Sequence, residues 1–100
     1  MTEVTFAAFA ASLGAATPPR GLSAAVRGCW HALRGEWAAA HDAVQPDDTA
    51  CAWVHAALHR EEGDHANAGY WYRLARRAPA TGAPRDEYLA IAAALLAGDR

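Results

Sequence analysis

Strand-forming residues are nearly absent from this chain, and that shortage decides its fold class. Val4, Val26, Val44, Val54 and Ile91 are the only β-branched aliphatic residues, set against 28 alanines in 100 positions. β-branched side chains suit a pleated, half-buried surface, whereas alanine is the strongest helix former. The sequence therefore predicts an all-α protein, and residues 1–100 are the length of a single domain. Alanine buries little area, so the core must draw on leucines and on nine aromatics: Phe6, Phe9, Trp30, Trp37, Trp53, Tyr70, Trp71, Tyr72 and Tyr88.

Hydrophobic periodicity and the glycine and proline breaks place six helices. The first runs over about 4–13, with Thr2 as its N-cap, Gly14 as its stop, and Phe6, Phe9, Ala10 and Leu13 on one face. A linker at 15–21 contains Pro18-Pro19. The second helix, about 22–34, has the cleanest amphipathic pattern. Leu22, Ala25, Val26, Cys29, Trp30 and Leu33 lie on one side, and Ser23, Arg27, His31 and Arg34 on the other. A short third helix covers 36–44. The fourth, about 50–62, is capped by Asp48 or Thr49 and carries Ala50, Trp53, Val54, Ala57 and Leu58 inside, with His55 and His59 away from that stripe. The fifth, 65–77, turns Ala68, Trp71, Leu74 and Ala75 inward and Arg73, Arg76 and Arg77 outward. After a second linker at 78–84, the sixth helix spans 85–97 around Tyr88, Ile91, Ala92, Leu95 and Leu96.

The middle of the chain repeats with an offset of 28. His31, Gly35, Glu36, Ala38 and Ala40 fall on His59, Gly63, Asp64, Ala66 and Ala68. Glycine ends one helix, the acid caps the next, and small alanines let the two cross closely, so the unit is a helical hairpin. The pattern Gly63-Asp64-x3-Ala68-x3-Tyr72-x2-Ala75, followed by Pro79, resembles the second half of a tetratricopeptide or Sel1-like repeat, and Gly35-Glu36-x3-Ala40-x3-Val44 is a weaker copy. The resemblance covers about residues 22–79 and implies about two antiparallel hairpins with an extra helix at each end. The offset is 28 rather than the family's 34, and of the first-helix signature only Gly28 and Ala56 remain. The string from Trp53 to Arg76 also resembles a family of small bacterial proteins, a likeness that implies no catalytic residue.

A net charge of −2 gives no general attraction for nucleic acid or anionic membrane, so neither is expected as a partner. Glu3, with no Lys or Arg ahead of the apolar stretch 6–13, is the wrong start for a secretory leader, and no apolar run reaches ~20 residues. A cytoplasmic location is expected. Two cysteines make no disulfide framework, and Cys29 reads as a small core residue.

Chemistry-bearing candidates are few. His55 and His59, at i and i+4, project from one helix face at metal-ligand spacing, and His65 or Asp64 stands near enough in sequence to add a third ligand. The glutamate of the zinc-protease motif is missing between them. Asn67 falls within the apolar arc of the fifth helix, where an amide needs a partner; His55 or His59 is the expected one. Tyr70 is left at the rim of that helix, and Arg73 belongs to a solvated basic face with Glu61, Glu62 and Asp64 near enough to pair. No nucleophile motif or phosphate loop is present. The sequence thus predicts a non-enzymatic interaction module without a cofactor, binding a protein or peptide segment, or a second copy of itself, between its hairpins. The candidate contacts are His55, His59, Asn67, Tyr70 and Arg73. The alternative is a small metal- or ligand-binding protein, an enzyme among its forms, centred on His55, His59 and Asn67.

Overall fold

The computed structural model describes residues 4–98 and is helical throughout, with no strand among them. The helices are α1 (Phe6–Ala11, running on into a 3-10 turn at Ser12–Gly14), α2 (Ala24–Leu33), α3 (Trp37–Ala43), α4 (Thr49–Glu61), α5 (His65–Ala75) and α6 (Pro84–Leu96). Four open on a side-chain cap: Thr5, Ser23, Asp48 and Asp64 each accept from the backbone N–H three residues on. Thr2 lies outside the described residues, and the cap of α1 is Thr5. Ser23, expected inside α2, precedes it, and Pro84, expected in the linker, opens α6, where its missing N–H costs nothing.

The 28-residue repetition is visible in the backbone. Gly35 and Gly63 adopt positive φ (78° and 88°). Behind them the amides of Glu36 and Asp64 reach back to the carbonyls of His31 and His59, each at 2.9 Å. These are twin Schellman closures, and each reverses the chain within a few residues. α2 thus packs along α3, and α4 along α5, while α6 lies across both α2 and α4.

That arrangement makes α4 the central helix, touched by α2, α3, α5 and α6. Its faces are therefore nearly all covered, and His55 and His59 are buried although they lie off its apolar stripe. The core joins Phe9, Leu22, Val26, Cys29, Trp30, Val44, Val54, Leu58, Tyr88 and Ile91, with Ala56, Ala68 and Tyr72 as a satellite under α5. Other expectations need correction. Phe6 and Ala10 are exposed, and Phe9 is the buried residue of α1. Leu74, placed inside by its spacing, is 46% exposed, and Trp71 is half-buried, since α5 is an outer helix with one neighbour along its length.

Candidate metal centre

α3 contributes a histidine for which the α4 pattern gave no hint. Trp37, His41 and Val44 share one face of α3 and its C-terminal cap, at i, i+4 and i+7, and that face is turned to α4. Val44 is fully buried, and the Trp37 indole donates to the Leu58 carbonyl at 2.9 Å. With both ends pinned, His41 meets His55, their Nε2 atoms 3.2 Å apart and their rings crossed at 89°. His59, one turn further along α4, lies parallel to His55 with ring centroids 5.7 Å apart. One ring nitrogen from each of His41, His55 and His59 falls within 4.8 Å of the other two.

The surroundings hold these rings in place. Trp37 stacks on His41 at 5.0 Å and presents its edge to His59, while Trp71 stacks on His55 at 4.0 Å, nearly parallel. Glu62, past the end of α4, binds His59 Nδ1 at 2.6 Å. A carboxylate only accepts, so Nδ1 carries the proton and a neutral His59 has its lone pair on Nε2. His55 is 5% exposed and its Nδ1 is buried without a hydrogen-bond partner. Burial, and then the neighbouring imidazoles of His41 and His59, depress its pKa to about 4, so at neutral pH it is an uncharged donor of a lone pair.

The other expected site residues fall elsewhere. Asn67 is half-buried, and its side-chain amide has no hydrogen-bond partner among the described residues; only its backbone N–H is engaged, by the Asp64 cap. The Asn67–histidine pair is therefore absent, because the histidines face α3 and Glu62 rather than the first turn of α5. His65 is exposed and apart from the three-histidine cluster, so the third imidazole is that of His41. Asp64 groups instead with His59 and Glu62 at the exposed end. Tyr70 is exposed, as expected, and so is Arg73. Glu61 accepts from Tyr88, Glu62 binds His59, and Arg77 lies over the Trp53 ring at 3.9 Å.

A second polar cluster is structural in character. Arg60 Nε donates to Glu87 at 2.9 Å, and the Tyr72 hydroxyl donates to the other Glu87 oxygen. Burial, and then the bond to Glu87, raise the Tyr72 pKa to about 12, so that hydroxyl keeps its proton. No candidate membrane span occurs among the described helices, none of which is long and apolar enough. No family model matches the chain, nor does any curated protein or solved structure.

Proposed function

We propose that this protein binds a divalent transition-metal ion, zinc or a close neighbour, through His41, His55 and His59. The convergence of three imidazoles within 4.8 Å carries the reading. With metal–nitrogen bonds of about 2.0–2.1 Å, two ligands of a tetrahedral ion stand about 3.3 Å apart. The 3.2 Å between His41 and His55 is already that edge. An all-nitrogen donor set suits zinc, copper, nickel or iron better than calcium or magnesium. Glu62 on His59 Nδ1 supplies the carboxylate that orients a metal-bound histidine and raises its basicity. Three protein ligands leave one position for water or another donor. The tetratricopeptide-like description of the hairpins belongs to the same proposal, supported by the 28-residue repetition.

Tag-free protein, purified without chelator and assayed by elemental analysis, is expected to retain up to one equivalent of metal. Titration of the stripped protein with cobalt(II) should give the visible absorption of a tetrahedral site and saturate at one equivalent. His41→Ala, His55→Ala and His59→Ala should each abolish that spectrum, Glu62→Gln should weaken binding roughly 10–100-fold, and His65→Ala should leave it unchanged. Binding that survives loss of His41 or His55, or no binding at all, refutes the site. In the second case the 3.2 Å contact is a hydrogen bond between neutral rings and nothing more.

A further inference from the structure

Beside the histidines, a cavity of about 390 Å³ opens between the α3–α4 connection and α5. Val44, Pro46, Ala52, Trp71 and Leu74 give it apolar walls, and Asp47 and Asp48 stand on its rim. No Lys or Arg is among the lining residues, and His55 is the only one of a basic type. We infer that this cavity docks an extended protein segment that carries an arginine or lysine beside an apolar residue.

Two observations support that occupant. The first is charge complementarity: Asp47 and Asp48 are among the lining residues and no Lys or Arg is, so a basic side chain is favoured there over an acidic one. The second is shape. Leu74, 46% exposed, forms part of the wall, and Tyr70, 49% exposed, stands one turn earlier on the same face of α5. The apolar strip thus runs past the cavity mouth, further than one small cation reaches, and suits a chain with side chains on both sides of its anchor. Both arguments stand apart from the metal reading.

The test uses metal-stripped, isotope-labelled protein and the peptide acetyl-Leu-Arg-Leu-amide, followed by amide and indole shifts in NMR. Saturable shifts at Ala52, Trp71 and Leu74 are expected. Replacing arginine by citrulline, which keeps the shape and removes the charge, should weaken binding roughly two- to five-fold, as loss of an exposed ion pair does. Asp47→Asn should weaken it similarly without touching the helix start, because the α4 cap is Asp48. Equal affinity for the citrulline peptide, shifts confined to another face, or no saturation in the millimolar range overturns the inference. So does a concentration-dependent shift of these residues without peptide, which puts a second copy of the chain in the cavity. Repetition with zinc-loaded protein keeps the two proposals separate: peptide binding without metal binding leaves this one standing, and the reverse leaves only the metal site.

Discussion

A neutral imidazole closed in by tryptophan and two other imidazoles makes the folded state poor at accepting a proton. His55 takes one up near its ordinary value of 6.5 in the unfolded chain, and only near about 4 in the folded protein, where burial and then His41 and His59 oppose it. Between those values the unfolded state binds more protons, so acid favours unfolding. Stability of the metal-free protein is therefore expected to fall as pH drops from 6.5 towards 4, by about 1.4 kcal/mol per pH unit from this group, and to be insensitive to it above that window. Titrating groups facing His55 are His41 from α3 and His59 on its own helix, with Asp47 and Asp48 on the far rim of the cavity. Trp71, from α5, does not titrate. His55→Phe keeps a ring against Trp71 and removes the proton site. Urea midpoints measured across the window should flatten in that variant; an unchanged slope assigns the acid sensitivity to another group.

At the level of helices, the tightest constraint is a glycine that turns nothing. Gly28 lies in the middle of α2, and a Cβ there would stand 2.5 Å from Val44 Cγ1 and 3.3 Å from Val54 Cγ1. The missing side chain is what lets α2 approach α3 and α4 closely. Gly28→Ala gains about 1 kcal/mol of helix propensity, but overpacking costs typically about 1–3 kcal/mol, so net destabilisation is expected. Val44→Ala makes room for that methyl, so the double variant should be less destabilised in denaturant than the sum of its single changes. Strict additivity would show that the contact relaxes freely. The helices themselves were legible because they are punctuated: Gly35, Gly63 and the Asp48 and Asp64 caps act locally, and local signals survive in a single sequence. The environment of a face was not. His55 and His59 lie off the α4 stripe, and only the packing of four helices around α4 buries them. The partner of His41 is fourteen residues away on another helix, and no spacing rule within α3 points to it. The place of His41 beside Trp37 and Val44 on a single face was the one available clue. Asn67 is the converse case: its place within an apolar arc points to burial, but α5 is an outer helix whose far side is open.

Across the whole molecule, α6 is held to the hairpins by apolar packing, by the Tyr88 hydroxyl on Glu61 and by a buried carboxylate. Glu87, 8% exposed, receives Arg60 from α4 and the Tyr72 hydroxyl from α5, so three helices meet on one group. Burial works against the Arg60 charge, and the hydrogen bond to Glu87, the charge of that carboxylate and Tyr72 together more than offset it, leaving the guanidinium firmly protonated. Taking two charges out of water is expensive, and their attraction often only repays that cost. The pair is thus better understood as fixing where α6 sits than as adding net stability. Breaking it is another matter. Glu87→Ala leaves Arg60, whose side chain is 14% exposed and whose Nη2 already lacks a partner, as a buried charge without compensation. A loss of about 3–5 kcal/mol is expected, a large share of the ~5–15 kcal/mol that holds a domain of this size together. Replacing both charges, Arg60→Met with Glu87→Leu, removes the attraction and both desolvation costs together, so the double variant should stay close to the parent in stability. Tyr72→Phe added to that double variant removes the hydroxyl that would otherwise be left facing leucine. Denaturation of the three variants decides the matter. If the double variant is as unstable as Glu87→Ala, the ion pair itself supplies net stability, and the view of it as a positioning device for α6 is wrong.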